Sequence, residues 1–321
     1  MAHDPNERLA VVDMGTNTFN LLIAERTGIT VESSSPSWTA LHRDKIPVKL
    51  GVGGIHLGII TQDAEERALN ALKSHRATID EFNPSEIQCY ATSAMRDAAN
   101  GMAIKNRIAH EVGFDVKIID GNREAELIFK GVQCSMPNMA DPVLIMDIGG
   151  GSTEFIIGHN NGILWKKSYP LGVSRLLEMF RPSDPGTPED FVRITNYLDD
   201  ALSDLRASVQ LHKPMILVGS SGSFDTLRDV IHGGVVQENA GNIYTFNPVE
   251  LENTLLRLKK MSTTERLNVP GMIPIRAEMM GISSLFIEYI LDAFNLEQIL
   301  QSNYALKEGV VFEWLKANNH G

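Results

Sequence analysis

One stretch constrains this chain more than any other: Val143-Leu-Ile-Met-Asp-Ile-Gly-Gly-Gly-Ser-Thr-Glu-Phe-Ile-Ile-Gly158. Its apolar opening, Val143 to Met146, reads as a buried strand. Asp147 ends that strand. Gly149, Gly150 and Gly151 form a turn without side chains, Ser152 and Thr153 follow, and Phe155 to Ile157 resume a strand, so the whole reads as a hairpin. A backbone this bare brings several N–H groups close to an anion. A carboxylate beside an anion repels it unless a divalent cation or a water stands between them, which makes Asp147 a candidate cation ligand. For one copy, a hairpin that uses its glycines for turn geometry alone is an equal competitor.

A second copy shifts that balance. Leu9-Ala-Val-Val-Asp-Met-Gly-Thr-Asn-Thr-Phe-Asn-Leu-Leu-Ile-Ala24 has the same layout. Asp13 matches Asp147, Gly15 matches Gly149 and Thr18 matches Ser152. The segments beyond each hairpin also repeat. Tyr169-Pro-Leu-Gly-Val173 echoes Val48-Lys-Leu-Gly-Val52, and Gly219-Ser-Ser-Gly-Ser-Phe-Asp225 stands where the first half has Ala91-Thr-Ser-Ala-Met-Arg-Asp97. Spacings differ between the halves, so this is a duplicated fold and not a short-period solenoid.

Strands are expected at 28–32, 45–54, 87–91, 116–119, 163–165, 215–218 and 299–302, with a turn at 33–36. Helices are expected from Thr61, a good N-cap, to about Glu81, then over 97–112, 124–132, 251–261, 278–291 and 308–316. A further helix starts after Thr187-Pro188. In the first of these, Ala64, Ala68, Leu69, Leu72 and Ile79 form the inner stripe. The pattern is βββαβα twice: two similar α/β domains over 1–124 and 125–304, with the closing segment 305–321 placed to pack back on the first.

Composition narrows the function. A net charge of −11 argues against a general nucleic-acid binder, yet a local basic cleft still attracts anions. No apolar run approaches the ~18 residues of a membrane span, and the first eight residues are too polar for a signal peptide, so a cytoplasmic protein is expected. Cys89 and Cys134 are the only cysteines and read as free thiols. The histidines show no metal-ligand spacing, and no Gly-x-x-x-x-Gly-Lys loop is present.

The duplicated hairpin architecture resembles the actin-like, ribonuclease H-like superfamily of sugar kinases and chaperone ATPases, in which two domains face a cleft. More narrowly, the chain resembles the exopolyphosphatase and guanosine pentaphosphate phosphohydrolase (Ppx/GppA) family. The resemblance rests on Val12 to Phe19, Ala91 to Ala98, Ile119 to Phe129, Met146 to Glu154, and Ser302 through Glu308-Gly309, in family order over nearly the whole chain. It implies hydrolysis of the terminal phosphoanhydride of polyphosphate or guanosine pentaphosphate (pppGpp). By this resemblance Glu124 takes the place of the family's proposed general base. Its flanks depart from the family segment: Arg123 and Glu126 stand with their charges exchanged, three apart on a helix and able to pair. Gly219 to Ser223 is less glycine-rich than the family loop, and Ser221 would crowd a nucleotide base or a long chain. The chain also stops short of the extra C-terminal domain of longer members.

On this reading Gly15, Thr16, Asn17, Thr18, Gly149, Gly150, Gly151, Ser152 and Thr153 hold phosphate oxygens. Arg96 forks onto a terminal phosphate. Asp13, Asp147 and Glu154 hold Mg2+ (or Mn2+), and Glu124 activates water. Lys166, Lys167 and Arg175 form either a basic rim or a solvated charge run. A homodimer is compatible with the family. Two alternatives stay open: an ATP-dependent sugar- or acid-kinase-like phosphotransferase, and a non-catalytic sensor of polyphosphate or guanosine tetra- and pentaphosphate.

Overall fold

Long apolar strands decide where the sheets form. In the computed structural model, which describes residues 7–27, 38–235 and 241–317, the chain divides into one unit of 1–137 with 305–321 and a second of 138–304.

In the first unit β1 (Arg8–Met14), β2 (Thr18–Arg26) and β3 (Trp38–Pro47) are antiparallel, and β4 (Glu86–Ala91) and β5 (Val116–Ile118) add in parallel beside β1. The order is β3-β2-β1-β4-β5. Around it lie α1 (Gln62–Phe82), α2 (Ser93–Asp97), α3 (Gly101–Glu111), α4 (Gly121–Ser135) and the C-terminal helix Leu306–Ala317. In the second unit β6 (Val143–Ile148), β7 (Thr153–His159) and β8 (Gly162–Tyr169) are antiparallel. Then come α5 (Val173–Phe180), α6 (Pro188–Ala201), α7 (Ser203–His212), β9 (Ile216–Ser220), α8 (Gly222–Ile231), β10 (Ile243–Thr245), α9 (Pro248–Lys260), α10 (Thr263–Leu267), α11 (Pro274–Ala277), α12 (Met280–Ala293) and β11 (Gln298–Ser302). The order is β10-β11-β9-β6-β7-β8. With β10 set aside, the two sheets have the same order and strand directions, so the duplication read from the hairpins holds for the whole α/β plan.

Central strands β1 and β6 are buried along nearly their full length, as parallel neighbours covered on both faces must be. Edge strands β3 and β8 alternate exposure and carry charge, Arg43, Asp44 and Lys45 on one and Lys166 and Lys167 on the other, which blunts the edges. Strand parity then separates two faces. Leu144, Met146, Ile148, Phe155 and Ile157 enter one apolar core of the second unit, and Ala10, Val12, Met14, Phe19, Leu21 and Ile23 do the same in the first. Asp13 and Asp147 fall on the opposite face of their strands.

Several expected elements differ. The strand and turn expected at 28–36 lie outside the described residues. The third strand is Trp38–Pro47, and 48–54 is a loop: Lys49 adopts φ 48°, and the amides of Val48 and Lys49 both donate to Asn17 O at 2.9 Å, which turns the chain. The crossing at 93–97 is a short helix, and α3 starts only at Gly101, behind Asn100, whose amide clamps both backbone groups of Ile60. Helices α5, α7 and α8 had no expectation. α1 is capped by Thr61, whose hydroxyl accepts from Ala64 N–H, and buries Ala64, Ala68, Leu69, Leu72 and Ile79. Both cysteines are free. No helix among the described residues is long and apolar enough to cross a membrane.

The division falls after Pro137, not after Glu124. The reason is α4, whose amphipathic face packs on the C-terminal helix. The two helices touch at glycines: a Cβ on Gly131 would meet Ala305 O at 2.0 Å, and one on Gly309 would meet Leu127 O at 1.9 Å. Arg123 and Lys130 of α4 both bind Glu313 across this contact. Glu308, 1% exposed, accepts from Arg43 Nη1 at 2.6 Å and from Ala305 N–H at 3.0 Å.

Close glycine contact predicts a sharp contrast. Gly131→Ala forces the helices apart and destabilises the chain by about 1–3 kcal/mol, the usual range for overpacking. Gly241→Ala, in open space, leaves the melting temperature unchanged within error. Thermal melts of the two variants, read by circular dichroism, check this; equal melting temperatures exclude the close contact.

Candidate active site

Each hairpin turn is built by the same backbone device. In the second unit Gly149 N–H donates to Ser152 O at 3.0 Å, closing the turn with Asp147 directly across from Glu154. In the first, Gly15 N–H donates to Thr18 O at 3.2 Å, with Asp13 across from Asn20. The register is identical, and directly opposed residues share a face of the sheet.

The turn carbonyls are consumed by the segment just after β8. Val173 N–H donates to Gly149 O at 3.0 Å, Ser174 N–H to Gly150 O at 2.9 Å, Gly172 N–H to Gly151 O at 3.3 Å and Arg175 Nε to Gly151 O at 2.9 Å. In a planar trans peptide the carbonyl and the next N–H point in opposite directions. With the carbonyls of 149, 150 and 151 turned toward α5, the amides of Gly150, Gly151 and Ser152 point away from it, and none has an acceptor among the described residues. Three successive turn N–H groups left without an acceptor are what an anion nest offers. The approach requires Gly172, because a Cβ there would meet Gly150 C and O and Gly151 N at 2.3 Å.

The first unit repeats the arrangement. Gly51 N–H donates to Thr16 O at 3.2 Å, and Val48 and Lys49 hold Asn17 O, so the peptide N–H groups of Asn17 and Thr18 point the other way. Gly51 fits for the same reason as Gly172: its Cβ would meet Thr16 Cγ2 at 2.7 Å. Thr16, Asn17, Thr18 and Ser152 are all buried.

Arg96 and Glu124 stand at the same sheet edge as the first turn, the carboxyl ends of β1, β4 and β5, which is where ligands bind in open α/β sheets. Met14 O accepts from Thr92 N–H, and Ala91 O accepts from Ile119 N–H. α2 and α4 start from these strand ends, α4 behind the cap of Asp120, whose side chain accepts from Arg123 N–H. Arg96 Nη1 donates to Glu124 Oε2 at 2.8 Å and to Ile119 O at 3.2 Å. Glu124 is buried, 7% exposed, in the first turn of α4, where the helix dipole favours its charge. Glu126 is half-exposed. It lies 3.5 Å from Arg123, whose main partner is Glu313, so the exchanged pair of the sequence is a secondary contact.

At the corresponding edge of the second unit, Asp147 Oδ2 accepts from Ser220 Oγ at 2.6 Å and from Ser221 Oγ at 2.8 Å. Glu154, 1% exposed, accepts from Ser168 Oγ at 2.6 Å. Arg276 is a residue that sequence reasoning missed. It is buried (8% exposed), its Nε has no hydrogen-bond partner, and its charge is set against Asp225 and Asp147. Burial pushes its pKa below the usual arginine value. A Cβ on Gly222 would meet its Nη2 at 1.8 Å. A lone arginine in Pro-Ile-Arg-Ala carries no local signal for such a position.

One expectation needs correction. Thr153 is fully buried on the core face, opposite Ile148, and its hydroxyl donates to Leu171 O at 3.0 Å; it anchors the segment before α5 and is not a phosphate contact. Of the two readings left open for the basic residues, the rim is the less supported, since Lys167 binds Asp204 and Arg175 binds Gly151 O. Asp13 lies in the first unit and Asp147 and Glu154 in the second, and among the described residues no group of three or more His, Cys, Asp or Glu could hold a metal ion. The Asp147–Glu154 pair fits a hydrated hard cation, which takes one or two carboxylates and keeps waters and substrate oxygens for the rest.

Known proteins share this chain's pattern. A model of the Ppx/GppA phosphatase family matches residues 29–318. The crystal structure of an exopolyphosphatase from Cytophaga hutchinsonii is 39% identical, with a TM-score of 0.91, and the match covers 97% of this chain and 98% of that one. A putative exopolyphosphatase of Haemophilus influenzae is 27% identical over 97% of this chain and 92% of its own length. A bifunctional 3-dehydroquinate synthase/phosphatase of Fusobacterium nucleatum is 30% identical over 95% of this chain, which spans about half (46%) of that relative.

Because Gly172 lets the helix touch the turn, Gly172→Ala is expected to swing the nest amides out of line. Binding of inorganic phosphate, followed by isothermal calorimetry, weakens at least tenfold, while the far-ultraviolet dichroism keeps its native shape. Phosphate binding equal to wild type removes the nest.

Proposed function

The chain belongs to the Ppx/GppA phosphatase family, and we propose that it is an exopolyphosphatase, hydrolysing the terminal phosphoanhydride of inorganic polyphosphate, with guanosine pentaphosphate as the second substrate class. The observation that carries this reading is the pair of hairpin turns whose peptides are aimed by their own carbonyl bonds. A terminal phosphate chain offers the repeated anionic oxygens that such turns accept.

Phosphoryl transfer passes through a loose transition state, so catalysis is positioning and charge neutralisation more than covalent help. The amides of Gly150, Gly151 and Ser152, with the turn of Gly15, Thr16, Asn17 and Thr18, bind non-reacting oxygens. Arg96 binds the phosphoryl group that leaves the chain, forking onto two of its oxygens. In doing so it exchanges its bond to Glu124 for one to the substrate. Glu124, released from that bond, orients and deprotonates water. Asp147 and Glu154 would hold Mg2+ or Mn2+, which would neutralise charge on the phosphate oxygens, and Asp13 is the matching carboxylate of the first hairpin. The hydroxyls that brace Asp147 and Glu154 fix the orientation of both carboxylates.

Two substitutions test the roles by phosphate release from polyphosphate. Glu124→Gln keeps the shape of the side chain and lowers kcat by about 10²–10⁴-fold, the range for loss of a general base, while Glu126→Gln stays within a few-fold of wild type. A larger loss at Glu126 moves the base assignment to that residue.

Asp147→Asn is expected to lose turnover and to flatten the Mg2+ titration at an unchanged melting temperature. Wild-type activity with an unshifted titration removes Asp147 from the site. Phosphorylated acceptor and ADP formed from ATP and a sugar, with no phosphate released from polyphosphate, favour the phosphotransferase.

A further inference from the structure

Ser221 stands at φ 68°, ψ −179°, a backbone region occupied almost only by glycine. It is also the N-cap residue of α8, a position where serine normally accepts a hydrogen bond from a first-turn amide. Ser221 makes no such cap. Its hydroxyl donates instead to Asp147 Oδ2 at 2.8 Å, the same oxygen that Ser220 reaches at 2.6 Å. One residue thus tolerates a strained backbone and an uncapped helix for a single bond to Asp147. A glycine would satisfy the backbone, and a serine with ordinary φ would satisfy the helix; neither would deliver the hydroxyl to the carboxylate.

Strain of this kind persists where the surroundings over-determine it, and it concentrates at functional sites. Two donors on one carboxylate oxygen fix the rotation of the group and present Oδ1 in one direction. A carboxylate that is itself hydrogen-bonded is a better-aimed cation ligand than a freely rotating one. The expected crowding of a ligand by Ser221 is replaced by this geometry, since the side chain is turned onto Asp147.

We propose that Ser221 is a positioning residue, which locks the Asp147 carboxylate in the orientation that receives a divalent cation; this rests on the role given to Asp147 above. The role separates hydroxyl from backbone, so two variants separate them as well. Ser221→Ala removes the hydroxyl and keeps the strained Cβ. Ser221→Gly removes both.

The test is a melt, a calorimetric titration of MgCl2 in the presence of inorganic phosphate, and turnover of polyphosphate at varied Mg2+. The glycine variant should melt higher than the alanine variant by about 3 °C or more, the shift expected from relief of the strained backbone. Both variants should need about 10–100-fold more Mg2+ for half-saturation, the usual cost of losing a residue that orients a metal ligand, and they should do so equally. A structural role alone would make function follow stability, with Ser221→Gly near wild type and Ser221→Ala impaired. That outcome overturns the inference, as does an unchanged Mg2+ requirement in both variants of an active enzyme. A wild-type chain that neither binds Mg2+ nor releases phosphate overturns the proposed function and this inference together. A wild-type chain that binds Mg2+ but does not turn over polyphosphate overturns only the function, and the calorimetric comparison still decides the role of Ser221.

Discussion

The bonds between the Gly149–Gly151 carbonyls and the start of α5 set the orientation of everything around them. A glycine turn on its own has no preferred peptide direction, because glycine populates both signs of φ. Here three carbonyls are fixed by amides from Gly172 to Ser174 and by the Arg175 side chain. The amides on the other side of the same peptides are thereby fixed without any contact of their own. Preorganisation of this kind means that an anion meets donors already pointing at it, with little reorganisation to oppose binding. It also explains why Gly172 matters as much as the glycines of the turn: any side chain there would separate the helix from the carbonyls that it orients.

The Arg96–Glu124 pair sets a second constraint, which works against the first unless something intervenes. Arg96, at 2.8 Å, ties up the Glu124 carboxylate in an ion pair. On the proposed mechanism, the contact by which Arg96 takes the phosphate is also the one that releases Glu124. Arg96 also holds Ile119 O, so its reach is set by the end of β5. The pair is built on rigid strand ends, and a shift of either helix would detune both roles.

Much of this was legible in the sequence because the informative signals are local. The hairpins have paired aspartates and glycines at equal spacing, and α1 has Thr61 before it and Pro84 after it. α8 was not legible, because Gly222, Ser223 and Phe224 read as a loop; the helix forms because Phe224 and Leu227 are buried in the core, a tertiary effect that overrides weak propensity. The domain limit was missed for a similar reason. α4 belongs with a helix that begins at Leu306, far along the chain, through glycines whose closeness no local pattern reveals. Thr153 is different, since its error was avoidable. It lies one residue from Glu154, so strand alternation alone sends its side chain to the core if Asp147 and Glu154 face away from it.

The two hairpins have kept one chassis and diverged in chemistry. Register, closing bond and the glycine beyond the third strand are shared, so the backbone geometry has been retained in both. The side chains have not. Opposite Asp13 stands Asn20, which donates its amide to Asp13 Oδ2 at 3.0 Å, while opposite Asp147 stands Glu154, a second acid. The first arrangement spends its aspartate on a neutral donor. The second sets two carboxylates side by side, which is unfavourable by itself and needs a cation or strong hydroxyl donors to hold it. The serines at 168, 220 and 221 supply such donors. The hydroxyl donors are therefore gathered on the second hairpin, and on the proposed role the glycine-only backbone of Ser221 serves this pairing.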